Sequence, residues 1–211
     1  MNIIKPNFQI LTEINEESIL HFLENIGRKA YKSEDKICKD SGINFILELL
    51  KKGHESVIEH FSISVLVVCD RGISHEIVRH RIASYTQEST RYCNYSKGQF
   101  GGELTFIEPC FWLENTEANQ SKQLVWRLAM LDAEKWYMRL LQLGATPQEA
   151  RSVLPNSLKT EIVMTMNLRE WRHFFKLRTA KTAHPQMQEI ANMILKEFKI
   201  QLPTIFGDIN Q

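Results

Sequence analysis

Residues 60–70, HFSISVLVVCD, restrict the fold more than any other stretch. Apolar and polar positions alternate at first and then give way to an unbroken, β-branched run, the pattern of a strand that becomes buried on both faces. Such a strand needs partner strands for its backbone and helices over its faces. Helices are legible on either side of it. Residues 15–27 put Ile19, Leu20, Phe22, Leu23 and Ile26 at helical spacing behind an Asn15 cap, with Gly27 as the expected stop. Residues 41–53 repeat the pattern with Ile43, Ile46, Leu47 and Leu50, from Ser41 to a closing Lys-Lys-Gly.

After the strand, Asp70, Arg71 and Gly72 read as a turn. Residues 73–83 then read as a helix, which would set Arg79, His80 and Arg81 on successive faces about 100° apart. Residues 121–143 read as a long helix ended by Gly144. Thr146-Pro147-Gln148-Glu149 combines a Thr cap, Pro at the first helical position and Glu three after the cap, which is a capping box. Residues 161–166, EIVMTM, read as a strand, followed by an Asn167 cap with Glu170 three residues on. A last helix follows Pro185 and carries Ile190, Met193, Ile194 and Phe198. Neither repeats nor a low-complexity linker interrupt the 211 residues, so one α+β domain over residues 1–211 is expected.

Within this frame, residues 79–92, RHRIASYTQESTRY, gather three arginines, a histidine and several hydroxyl side chains. The chain as a whole has 26 basic and 25 acidic residues, so this positive charge is local. That balance weighs against nucleic-acid binding, which ordinarily leaves a basic excess. The QESTR loop, with an amide, an acid, two hydroxyls and a guanidinium, suits a phosphate joined to a hydroxylated sugar. Arg79, Arg81, Arg91, Arg151, Arg169, Arg172 and Arg178 lie near expected helix ends or in this loop. Each alone is as well explained by solvated helix surface.

Other features favour plain roles. His54, Glu55, Glu59 and His60 in GHESVIEHF do not form HExxH, so no metal is expected. Cys38, Cys69, Cys93 and Cys110 form no CxxC pair, and Cys93 and Cys110 have no adjacent base to make either a nucleophile. Trp171, Phe174 and Phe175 sit at core spacing; their interleaving with Arg172 and Arg178 leaves a flat ligand as the alternative. The start, MNIIKPNFQI, is not a signal peptide, and no apolar run approaches the roughly 20 residues of a membrane span. A cytoplasmic protein with no membrane partner is expected.

The triplet Arg79-His80-Arg81, seven residues and then Ser89 closely resemble the signature of the flavin-dependent thymidylate synthases. GHESVIEH, EARSVLP at 149–155 and MNLREWRHFFKLRTAKTAHPQ at 166–186 resemble the family's other blocks, in its order. The resemblance implies a helix-rich α+β domain with a small central, mostly antiparallel sheet, assembled as a homotetramer with active sites shared between subunits. It implies FAD reduced by NADPH, 5,10-methylenetetrahydrofolate as one-carbon donor, and methylation of dUMP to dTMP with release of tetrahydrofolate.

Carried over residue by residue, the resemblance assigns FAD to Ser56, Arg79, His80, Arg81, Gln87, Asn167, Arg169 and His173. It assigns dUMP to Glu76, Arg79, Gln87, Glu88, Ser89, Thr90, Arg91, Arg151 and Arg178, with Ser89 and Arg91 on the phosphate. Arg178 matches the arginine that contacts the uracil and promotes its ionisation at N3, and is the catalytic residue. A fixed guanidinium stabilises charge building on the ring, most strongly in a water-poor site. Glu76, Gln87 and His173 depart from the family's commoner Gln, Glu and Asn. Three rival readings stay open at this level: a methyltransferase using Cys93 or Cys110, a metal hydrolase using His54, Glu55, Glu59 and His60, and an RNA-binding module.

Overall fold

The computed structural model describes residues 1–98 and 101–209. In chain order it contains β1 (Asn2–Ile4), β2 (Asn7–Ile10), α1 (Glu16–Arg28), α2 (Ser41–Lys51), a 3-10 helix (Glu55–His60), β3 (Ser62–Asp70), α3 (Arg71–Ile77) and β4 (Ser84–Gln87). There follow β5 (Thr105–Ile107), α4 (Glu117–Gln142), α5 (Pro147–Ala150), β6 (Lys159–Asn167), α6 (Leu168–Arg178), α7 (Pro185–Gln201) and α8 (Pro203–Phe206). The architecture is helix-rich α+β, as expected.

Two compact units emerge. One contains Met1–Asn7, Val67–Arg79 and Tyr85–Val163; the other contains Phe8–Leu66, His80–Ser84 and Met164–Gln211. They are called here the first and second units. The division cuts β3 and β6, so each unit holds half of both strands. The four-stranded sheet has the order β2-β3-β6-β4. Its middle pair is antiparallel: Ser64 meets Thr165 through their hydroxyls at 2.8 Å, and further along Arg71 N–H donates to Leu158 O at 3.0 Å.

In the first unit, β1 and β5 pair in parallel, Asn2 opposite Thr105. Phe106, Leu104, Leu158, Tyr95, Met130 and Tyr137 form the core of this unit. The long helix begins at Glu117, four residues before the expected start, because Thr116 Oγ1 accepts from Asn119 N–H at 3.3 Å. Gly144 follows it at φ +92°, the left-handed backbone that ends helices at glycine. The Thr146 capping box is formed as read, on a helix of only four residues.

Asp70 and its neighbours correct the expected turn. Asp70 is the cap of α3, its Oδ1 accepting from Ile73 N–H at 2.8 Å, so β3 passes straight into a helix. The helix then stops at Ile77, whose carbonyl accepts from the Tyr85 hydroxyl at 2.9 Å. Arg79, His80 and Arg81 therefore lie outside the helix and the 100° spacing does not apply to them; residues 84–87, read as loop, are strand β4.

In the second unit, Asn15 caps α1 by accepting from Ser18 N–H at 2.9 Å. Gly27 does not stop that helix. It lies buried within it, where a Cβ would come within 2.7 Å of the Phe45 ring, so glycine is there to admit α2 closely. Helix α6 starts at the Asn167 cap as read, with Oδ1 accepting from Glu170 N–H at 2.8 Å. Trp171, Phe174 and Phe175 are fully buried with Phe198 and Phe206, which decides for core against a flat-ligand surface. Ile190, Ile194 and Phe198 of α7 are buried; Met193 is 36% exposed, off the core face.

Candidate active site

The expected site residues fall into both units, and each group is built differently. In the first unit, β4 delivers Gln87 into a polar network: its amide donates to Ser74 Oγ at 2.9 Å and to Thr160 Oγ1 at 3.1 Å. The chain then turns at residues 89–93, with Tyr92 N–H and Cys93 N–H both donating to Ser89 O, at 3.1 and 3.0 Å. The Ser89 hydroxyl accepts from Arg91 N–H at 3.3 Å. Arg151, delivered by the capping-box helix, donates to buried Thr90 Oγ1 at 3.4 Å. Arg91 Nε donates to Gln148 Oε1 of that helix at 3.1 Å. The first unit thus gathers Ser89, Thr90, Arg91 and Arg151, hydroxyls and guanidiniums that together suit a phosphate.

Glu88 behaves otherwise. Its carboxylate accepts from the Tyr95 hydroxyl at 2.6 Å and from Lys159 Nζ at 3.2 Å. Tyr95 and Lys159 give no sequence signal of their own, because their link to Glu88 is purely spatial. Arg71 also enters this cluster, donating to Glu88 O at 3.4 Å and Thr160 Oγ1 at 3.3 Å. Cys93 lies close by, its thiol pushed above the ordinary value by burial and then by Glu88. Glu76 is half-buried in α3, and Arg79 is exposed just beyond it.

In the second unit, Asn167, Arg169 and His173 line a cavity of about 500 Å³ with Glu55, Glu59, Ile82, Glu170 and Lys176. Arg169 pairs with Glu59 at 2.5 Å and Glu55 at 3.7 Å, so these two acids of the GHESVIEHF block serve as arginine partners. Both sides of the Arg169–Glu59 pair are exposed, and water and salt screen such a bridge so that it holds weakly. An anionic ligand can therefore take Arg169 over. Ser56 is exposed on the same 3-10 helix, and Arg81 is exposed next to buried His80. Arg172, read as possible surface, is 3% exposed and held by Asp208 at 2.6 Å and by the Ile205 carbonyl, so it is structural.

His80 is 5% exposed. Arg178 Nε donates to its Nε2 at 2.9 Å, and its Nδ1 lies 3.4 Å from Glu170 Oε1. Glu170 was legible only as a helix-start acid; its place beside His80 had no signal in the sequence. Burial first, then the Arg178 and His173 charges, push the His80 pKa down to about 4 from the ordinary 6.5. The folded state therefore binds fewer protons than the unfolded chain between these values. The resulting stability is full above pH 6.5 and is lost as pH falls through 4, an effect of about 3 kcal/mol at ~1.4 kcal/mol per pKa unit. Urea unfolding at pH 7.5 and 4.5 should show a smaller acid loss in His80→Gln than in the native chain; equal losses would remove His80 as the source.

His80, Glu170 and His173 bring their ligating atoms within 4.8 Å of one another. Metal binding there conflicts with the hydrogen bonds. A guanidinium only donates, so His80 Nε2 must accept from Arg178, and a neutral ring then carries its proton on Nδ1. That leaves no lone pair for a cation.

A flavin nucleotide, by contrast, fits the donor set of the cavity. Arg169, His173 and Lys176 suit pyrophosphate oxygens, and Glu55 and Glu59 suit hydroxyl and amino donors. Asn167 spends Oδ1 on its helix cap and keeps its amide N–H groups as donors.

Fold and clusters together define an α+β protein with hydroxyls and guanidiniums that suit a phosphate in one unit and a cavity that suits a flavin nucleotide in the other. The chain belongs to the thymidylate synthase complementing protein family, whose match spans residues 12–204. It is 36% identical over 167 residues to the flavin-dependent thymidylate synthase of Pyrococcus abyssi, covering 79% of this chain and 66% of that one. The enzyme of the same name from Geobacter sulfurreducens is 34% identical over 175 residues, covering 82% and 72%. The matches span only part of three curated relatives, 66%, 68% and 59% of their length. A crystal structure of the UMP/dUMP methylase PolB from Streptomyces cacaoi, bound with 5-Br dUMP, shares the fold at TM-score 0.81 and 21% identity, over 98% of this chain and 96% of that one. Among the described residues, no helix is long and apolar enough to cross a membrane.

Proposed function

We propose that this protein is a flavin-dependent thymidylate synthase, methylating dUMP to dTMP with 5,10-methylenetetrahydrofolate as one-carbon donor and releasing tetrahydrofolate. The observation that carries the reading is the gathering of Ser89, Thr90, Arg91 and Arg151 within hydrogen-bond reach of one another or of one helix. Those residues hold the dUMP phosphate. Glu76, Arg79, Gln87 and Glu88 complete the nucleotide site, with Gln87 and Glu88 kept in place by Thr160 and Lys159.

Asn167, Arg169 and His173 hold FAD, together with Ser56, Arg79, His80, Arg81 and Gln87. Bound there, the flavin would pass on the hydride that NADPH supplies. Arg178 lies against the uracil, where its fixed positive charge stabilises the anionic ring produced as N3 loses its proton. The raised thiol of Cys93 supports a route without an enzyme thiolate.

Residues 1–211 act as one catalytic domain, a reading supported by the two strands common to both units. The working form is a homotetramer with shared sites. Support comes from α4, which exposes Leu124, Val125, Leu128 and Leu131, and from an apolar cavity of about 480 Å³ lined by Trp112, Val125, Trp126 and Ala129. Free cysteines at all four positions support a cytoplasmic setting, and neither nucleic acid nor membrane is a partner.

The test is tritium release from [5-3H]dUMP with FAD, methylenetetrahydrofolate and NADPH, repeated with each omitted. Release that requires flavin, folate and reductant is expected. No release from folded, flavin-loaded protein would overturn the reading.

A further inference from the structure

We propose that Glu170 and His80 form a brace that sets the orientation of Arg178, making both of them positioning residues; the inference rests on the role given to Arg178 above. Glu170 and Arg178 both belong to α6, at its first turn and its end. Eight residues separate them, about 12 Å of helix rise, too far for direct contact. His80 spans the gap from a separate segment. Its Nε2 accepts from Arg178 Nε at 2.9 Å and its Nδ1 faces Glu170 Oε1 at 3.4 Å.

Each end of the brace has one polarity only. Arg178 cannot accept, so His80 Nε2 must; the proton of the neutral ring then sits on Nδ1 and points at a carboxylate that only accepts when ionised. Glu170 therefore selects the tautomer that can receive Arg178. Around this line the ring has little freedom: Phe174 meets it edge-on at 4.9 Å and His173 at 6.1 Å, and the ring is 5% exposed. The Glu170 backbone is itself pinned by the Asn167 cap at 2.8 Å. A long arginine side chain samples many rotamers, and that freedom is lost when the group is held in one place. A bond to Nε holds the plane of the guanidinium, which an arginine anchored only by its stem would lose.

The departure from the expected role of His80 follows. Both ring nitrogens are engaged within the protein, so its contribution to the reaction is the placement of Arg178 and not only a contact with flavin.

Two measurements test this on the full, flavin-loaded enzyme. In the first, Glu170→Gln keeps an oxygen that accepts from Nδ1–H and Glu170→Met does not. Glu170→Met should lower kcat, read per flavin-loaded chain, at least about tenfold with the KM for dUMP within about twofold, and Glu170→Gln should recover most of the loss. His80→Leu should lower kcat similarly, and adding Glu170→Met to it should cost nothing more, because both act on the same arginine. Equal loss in Gln and Met variants, a Met variant within about twofold of native kcat, or additive losses would overturn the brace.

In the second, independent of turnover, arginine-selective 15N labelling reads the Arg178 Nε–H. Its exchange with water should be slow in the native protein and in Glu170→Gln, and fast in Glu170→Met and His80→Leu. Fast exchange in the native protein overturns the brace. Slow exchange there, with no dTMP formed by the native enzyme, would instead overturn the reaction assigned to the site.

Discussion

Alanine at position 178 is expected to lower the turnover of dUMP by at least about 100-fold while flavin remains bound. The size follows from the role proposed for this guanidinium: it would meet the charge that develops on the pyrimidine without having a proton of its own to lose. Removing one preorganised donor from a developing anion commonly costs about 3–4 kcal/mol. Flavin should stay because the cavity lined by Asn167, Arg169, His173 and Lys176 does not include Arg178. His80 would lose its donor partner, which removes a charge that holds its pKa down and should not unfold a ring packed on Phe174. Measurement of kcat and of flavin absorbance per chain checks both halves. Near-native turnover would take Arg178 out of the mechanism, and loss of flavin would make it a cofactor residue.

Trp171→Ala should cost about 3–5 kcal/mol of stability, the usual range for emptying a buried tryptophan site. Trp171 is fully buried, packs on Phe174 and Phe175 with ring centroids 5.5 Å away and on Phe198 at 5.0 Å, and donates its indole N–H to Ile63 O at 3.1 Å. Truncation leaves both a cavity and an unpaired carbonyl. Trp171→Phe, which retains most of the packing, should cost less than half as much. Because Trp171 lies about one turn of helix after Asn167 and about two turns before Arg178, activity should fail on warming before global unfolding. The urea midpoint and the temperature dependence of turnover check this; a loss below about 1 kcal/mol would mean the aromatic cluster repacks around the gap.

Local chemistry carried much of the fold. Asn15, Thr146 and Asn167 start helices where they were read, because a side-chain oxygen three residues before a backbone N–H needs nothing from the rest of the chain. Trp171, Phe174 and Phe175 were readable as core from their spacing alone. Readings failed where a distant or competing group intervened. Asp70 reads as a turn but caps a helix, Gly27 reads as a stop but admits Phe45, and the helix expected to carry Arg79 ends early under the Tyr85 hydroxyl. The short strands β1, β2, β4 and β5 carry too few residues for a period-2 pattern to stand out.

The site divides along the same line. Ordered motifs on the chain identified the family and supplied expectations for the site residues, down to the arginine expected against the uracil. Only the tertiary structure decided that Glu55 and Glu59 serve Arg169, that Arg172 is an internal tie to Asp208, and that His80 is a buried link with two bonds. His80 lies 90 residues from Glu170 and 98 from Arg178 in the chain. Spacing in a sequence records what neighbours do to each other; the tautomer and charge of a buried ring are set by groups that only folding brings within 3.5 Å.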